Sequence, residues 1–226
     1  MSERRKFRPP RFGSPIFGER GPAEMSEILR YEDWSDPVPA ADREVVSRLP
    51  DDDAGRPPLL FVPGHGHGAA VFAEHWLGHA AGRGFPSHAV TPRPGGDLRA
   101  RVHDVVQVAA GLPRRTVLIG HGTGGRVVAG ALGRYPARAA VLVAPVLAGR
   151  IPPAGRVRLP DPVGGPPMLV VGSPDDSVVT RPALDRAAAR YGVAPLLFPG
   201  MGHDLMLETS WAEPIDAILD WLLKEL

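Results

Sequence analysis

An apolar run, Thr116-Val117-Leu118-Ile119, meets the glycine-rich stretch Gly120-His121-Gly122-Thr123-Gly124-Gly125, and a second apolar run, Arg126 to Leu132, follows directly. This pattern restricts the fold more than any other part of the chain. β-Branched residues favour a strand in the first run, and the small and aliphatic residues of the second favour a helix. The glycines between them permit a turn too sharp for residues bearing a Cβ, so a buried strand must pass almost directly into a helix. Gly120 and Gly124 leave room for strand and helix to cross closely, and Gly125 is expected to open the helix. Turns of this kind also cradle phosphates, but the lysine and Ser/Thr of a P-loop are missing here. Gly120, Gly122 and Gly125 satisfy the dinucleotide spacing G-x-G-x-x-G, yet no acidic residue follows before Asp161, so a ribose-binding carboxylate is lacking.

The rest of the chain alternates in the same way. Strands are expected at residues 27–34, 43–49, 58–62, 87–91, 116–119, 139–144, 168–171 and 194–198. Helices are expected at 69–83, 98–110, 125–135, 181–191 and 211–223. Such alternation predicts the α/β class, with a mostly parallel sheet covered by helices on both faces. Within 69–83, Phe72, Trp76 and Leu77 share a face and are expected in the core, as are Trp211, Ile215, Ile218, Leu219 and Leu222.

With 226 residues, 43% of them hydrophobic, the chain suffices for a single α/β domain over 25–226. Residues 1–24 are rich in Pro and Arg, with Arg4, Arg5, Lys6, Arg8 and Arg11 close together, and read as a disordered leader, either an inert tail or a docking segment. A net charge of +1 argues against nucleic acid as the partner, and no apolar stretch suits a membrane span. The expected partner is a small-molecule substrate, with a homo-oligomer possible. Cysteine is absent, which excludes disulfides and thiolate metal sites and makes the cytoplasm the expected compartment. Lysine occurs only at positions 6 and 224 against abundant Arg, Ala, Gly and Pro, a bias expected of a GC-rich bacterial genome.

Open α/β sheets bind ligands at the carboxyl ends of their strands, and three further signals fall there. Val62-Pro63-Gly64-His65-Gly66-His67-Gly68 follows one strand, Gly172-Ser173-Pro174-Asp175-Asp176 follows another, and Pro199-Gly200-Met201-Gly202-His203-Asp204 follows the last. With the Gly120–Gly125 turn, these motifs make the chain resemble the α/β-hydrolase superfamily from about residue 58 to its end. The resemblance implies the order nucleophile, acid, histidine, and here these positions hold Gly122, Asp176 (or Asp175) and His203. Asp176 is favoured because Val178 and Val179 then fall where the family places apolar residues. The resemblance further implies an oxyanion hole from the backbone N–H groups of His65 and Thr123, beside Gly64 and His121. Relatives of this kind carry serine at the elbow; this chain carries glycine. Pro63 replaces the usual histidine, and the short Pro/Gly-rich link 146–167 implies a minimal cap or none.

His65, His67, His121 and His203 match no standard metal-ligand spacing, so neither metal nor cofactor is expected, and Asp204 is expected to face away from His203. Three functions are compatible with these residues. The first is an enzyme that uses a His203/Asp176 base and an oxyanion hole on a small carbonyl compound, for elimination, cyclisation, isomerisation, cofactor-free oxygenation or water-mediated hydrolysis. The second is a non-catalytic binding or scaffolding protein, and the third an esterase or lipase whose serine has been substituted.

Overall fold

The computed structural model describes residues 3–7, 38–39, 41–147, 159 and 164–226. Among them lie eight strands: β1 (Glu3–Phe7), β2 (Arg43–Arg48), β3 (Leu59–Val62), β4 (Ser87–Thr91), β5 (Val117–His121), β6 (Ala139–Val143), β7 (Met168–Gly172) and β8 (Leu196–Leu197). Six helices accompany them: α1 (Ala70–Ala73), α2 (Trp76–Gly82), α3 (Leu98–Ala110), α4 (Thr123–Ala131), α5 (Arg181–Arg190) and α6 (Ala212–Glu225). The strands form one sheet in the order β1-β2-β4-β3-β5-β6-β7-β8. The pairs from β4 through β8 are parallel, while β2 runs antiparallel to both of its neighbours.

The central strands β3, β5 and β6 are buried along their whole length because helices cover both faces. Successive side chains alternate between two cores. Leu59 and Phe61 pack with Phe72, Trp76, Ile119, Ile215 and Leu219 on the face of α1, α2 and α6. Leu60 and Val62 join Val102, Leu118, Val127 and Leu184 on the face of α3, α4 and α5. In α6, Ile215, Ile218, Leu219 and Leu222 are fully buried, and each contributes about 1.5–3 kcal/mol by its removal from water. No helix of the described residues is long and apolar enough to cross a membrane.

Several elements differ from the expectations. The helix expected over 69–83 is two helices, interrupted at His75, whose φ of −131° leaves the helical region. There the His75 ring stacks on Trp211 with centroids 4.6 Å apart, and Trp76 Nε1 donates to the Trp211 carbonyl at 3.0 Å. This tertiary anchoring outweighs the local helical periodicity. Part of the expected disordered leader, Glu3–Phe7, is an edge strand in register with β2, pairing Glu3 with Ser47 and Phe7 with Arg43. Its charged sequence hid it, since edge strands tolerate charge that central strands do not. The remainder of that leader and the strand expected at 27–34 lie outside the described residues, as does most of the link 146–167.

α3 carries a buried carboxylate that periodicity does not reveal. Asp104 is fully buried and meets Arg93 Nη2 at 2.6 Å and Arg43 Nη2 at 2.7 Å. Burial alone pushes its carboxyl upward, but the hydrogen bonds from Arg93 and Arg43 outweigh this and hold it below the usual aspartate range. The ion cluster ties β2 and the loop after β4 to α3, flanking the ligand edge of the sheet.

Candidate active site

β5 delivers its last residues, Gly120 and His121, into the turn, and α4 starts at Thr123, two residues earlier than expected. The close crossing requires glycine at two points. A Cβ on Gly124 would lie 2.3 Å from the Val62 carbonyl oxygen, and one on Gly120 would lie 2.6 Å from the Gly124 oxygen. Gly122 caps α4 with φ 53° and ψ −120°, a conformation that costs about 1–3 kcal/mol in a residue with a side chain. Its N–H donates to the Val143 carbonyl at 2.9 Å, and its carbonyl accepts from Val146 N at 2.9 Å and Gly125 N at 3.2 Å. Neighbouring Ala144 itself has φ 43°, with its N–H held by the Val171 carbonyl at 2.8 Å.

His203 and Asp176 meet above this turn. His203 Nδ1 lies 2.8 Å from Asp176 Oδ2, and Asp176 Oδ1 accepts from Val178 N at 2.7 Å and Val179 N at 2.9 Å. A carboxylate can only accept, so Nδ1 carries a proton, and in the neutral imidazole Nε2 presents its lone pair. Nε2 faces position 122: a Cβ there would lie 3.2 Å from it. The Asp176 side chain is almost fully buried, whereas His203 keeps partial access to solvent. Asp175, the alternative carboxylate, does something else. Its Oδ2 accepts from Gly200 N at 2.7 Å and so pins the turn that precedes His203.

The loop after β3 contributes less uniformly. Gly64 sits against the elbow and against His121, with His65 exposed at the tip of a turn closed by His67 N to the Gly64 carbonyl at 3.3 Å. Thr123 is the first residue of α4, so its N–H has no partner within the helix. His121, expected among the substrate-facing groups, is instead buried beneath His203, with ring centroids 4.7 Å apart and Nε2 3.2 Å from the His203 carbonyl oxygen. Burial first, and then the nearby His203, push its imidazole down to about 4, so it is neutral at pH 7.

Asp204 does not face away. It lies between a bend at His203 and a turn that starts at Leu205, where strand alternation no longer applies, and its Oδ1 comes within 3.3 Å of His67 Nε2 and 3.5 Å of His121 Nε2. These are ion-pair distances without hydrogen-bond alignment: Asp204 Oδ1 and His121 Nδ1 are both buried with no hydrogen-bond partner. His121, His203 and Asp204 each offer a ligand atom within 4.8 Å of the others, a grouping of the kind that can hold a metal ion. Sequence spacing concealed it, because one ligand comes from β5 and two from the last loop. Glu208 was also missed; its Oε1 accepts from Gly202 N at 2.7 Å and braces the residue before His203.

Beside the elbow lies a cavity of about 470 Å³, lined by aliphatic residues that include Val146, Leu147, Val179 and Ala187 and also by Arg186 and Arg190. It adjoins both halves of the site, since Val146 N–H bonds to Gly122 and Val179 N–H to Asp176.

No protein-family model and no curated protein matches the sequence. Solved structures do match the fold. Est1E from Butyrivibrio proteoclasticus superposes with a TM-score of 0.65 at 14% identity, covering 84% of this chain and 96% of that one. A predicted CIB-like hydrolase from Thermoplasma acidophilum gives 0.62 at 16% identity, covering 80% and 92%. Thermogutta terrifontis esterase 2 in its apo form gives 0.61 at 20% identity, covering 84% and 91%. Sheet order, turn geometry and these likenesses agree: the chain has the α/β-hydrolase fold.

Proposed function

We propose that this chain is an α/β-hydrolase-fold enzyme lacking the serine nucleophile, in which His203, oriented by Asp176, acts as general base on a small ester. One observation carries the reading. His203 Nδ1 is bonded to a nearly buried carboxylate while Nε2 faces a position without a side chain, so its lone pair is available to a water rather than to a hydroxyl.

In the reaction, Nε2 accepts a proton from water as the water oxygen bonds to the ester carbonyl carbon. The carbonyl oxygen becomes an oxyanion facing the N–H of Thr123 and that of His65. Collapse breaks the bond to the alkoxide, which takes the proton back from Nε2, leaving acid and alcohol with His203 neutral again. The cavity beside Val146 and Val179, bordered also by Arg186 and Arg190, offers room for the acyl or alcohol group. General-base catalysis supplies typically about 10²–10⁴-fold and oxyanion donors a comparable factor, so turnover survives without a covalent step. The esterase names of the fold neighbours support ester as the substrate class.

The test uses the full chain against a panel of short-chain activated esters. Hydrolysis without a pre-steady-state burst, reduced at least about 100-fold in His203→Ala, is the expected result. Thermogutta terrifontis esterase 2 has been captured phosphorylated by paraoxon; this chain should take up no such adduct by mass spectrometry. A paraoxon adduct in the wild-type chain, or turnover unchanged in His203→Ala, would refute the proposal.

A further inference from the structure

We infer that His121, His203 and Asp204 form a binding site for a first-row divalent transition ion, with zinc the best match to the donor set. Two imidazoles and one carboxylate, leaving a position for water, are the ligands of catalytic zinc sites. Their ligand atoms already lie within 4.8 Å of one another. Bonds of about 2.0–2.1 Å at tetrahedral angles place ligand atoms about 3.3–3.4 Å apart. Asp204 Oδ1 and His121 Nε2, at 3.5 Å, stand close to that spacing before any ion arrives.

Three further observations point to a ligand rather than to a self-contained cluster. Asp204 Oδ1 is buried yet makes no hydrogen bond, which is uncommon for a carboxylate oxygen and calls for an ion or a water. His203 donates Nδ1–H to Asp176 at 2.8 Å, the carboxylate–imidazole arrangement that orients a metal ligand and raises its basicity. And Gly122 leaves open the space into which Nε2 points: besides His203 itself, the nearest group to a Cβ there would be the Gly64 Cα at 3.7 Å. A serine side chain would take up that space; glycine leaves it for the ion's water. The ion takes the place of the hydrogen bond from His121 Nε2 to the His203 carbonyl, and the imidazole proton moves to Nδ1. His67, 3.3 Å from Asp204 Oδ1, stands next to the carboxylate as an outer partner.

Zinc on His203 Nε2 takes the lone pair that general-base catalysis uses, so the inference concerns ion binding by the ester-free chain and does not depend on turnover of any ester. It is tested on tag-free full-length chain by titration calorimetry with zinc and by visible absorption with cobalt(II). The expected results are saturable 1:1 binding and the intense d–d bands of a four-coordinate cobalt site. Affinity should fall by at least about tenfold in Asp176→Asn, which alters only an outer-shell partner, and further in Asp204→Asn. His79→Ala, on α2 and outside the cluster, should bind as the wild type does. Because buried His121 variants risk misfolding, the half-exposed Asp204 carries the test, with circular dichroism confirming its fold. Absence of saturable uptake in the wild type, or uptake unaffected by Asp204→Asn and His203→Ala, overturns the inference. Were esters to remain unhydrolysed by the zinc-free chain while zinc binds as described, the general-base reading would fall and the metal site would stand.

Discussion

Gly122→Ser measures what the glycine at the elbow does. At φ 53° and ψ −120° a side chain costs about 1–3 kcal/mol of backbone strain. Its Cβ would lie 3.2 Å from His203 Nε2, close enough that the imidazole must shift by a few tenths of an ångström. The serine hydroxyl then finds an acceptor in Nε2, and such a hydrogen bond returns about 0.5–1.5 kcal/mol. Net destabilisation is about 1 kcal/mol, which for a domain of this size lowers Tm by about 2–4 °C. Gly122→Ala bears the same strain without the bond, so it should be less stable than Gly122→Ser by about 1 kcal/mol in urea titrations. Gly122→Ser should also hydrolyse an activated ester with a burst and form a paraoxon adduct. Equal stability of the serine and alanine variants would mean that the hydroxyl does not reach His203. A folded serine variant inert to both reagents would show that the oxyanion donors are not aligned with the elbow, and would remove the basis of the mechanism.

Other perturbations probe the frame around the site. Asp104→Ala strands Arg43 and Arg93 without their shared carboxylate and should cost about 3–5 kcal/mol by denaturant unfolding. Gly124→Ala places a Cβ 2.3 Å from the Val62 oxygen, a backbone atom that cannot yield, so little folded protein should be recovered. Burial lowers His88 from 6.5 to about 4, so the unfolded chain takes up a proton at a pH where the folded chain does not. Its contribution is therefore intact above about pH 6.5 and is lost as the pH falls toward 4. Between pH 7 and pH 5 that loss is about 2 kcal/mol, and His88→Gln should remove this part of the pH dependence in urea titrations at the two values.

The elements most legible in the sequence were those whose pattern is local. Ser87–Thr91 and Leu98–Ala110 fall at their expected bounds, the latter capped at its N-terminus by Asp97, whose carboxylate accepts from Ala100 N at 2.8 Å. Gly120 and Gly124 were readable because a close crossing admits no Cβ. What the sequence hid depends on distant partners. The break at His75 comes from Trp211, the burial of Asp104 from Arg43 and Arg93, and the inward turn of Asp204 from a bend that no periodicity describes. The choice between Asp175 and Asp176 as the partner of His203 was likewise open in the sequence. Adjacent aspartates look alike there, and only the fold sends one to Gly200 and the other to the imidazole.

The turn at position 122 is shaped largely by its neighbours. Val143 holds its N–H, Val146 holds its carbonyl, and Ala144, itself at positive φ, is fastened to Val171. Two strands, β6 and β7, and the segment that follows β6 thus act as a mould that imposes the same backbone on whichever residue occupies the position. A substitution at this position therefore leaves the path of the turn largely as it is, with strain at that residue as the main structural cost.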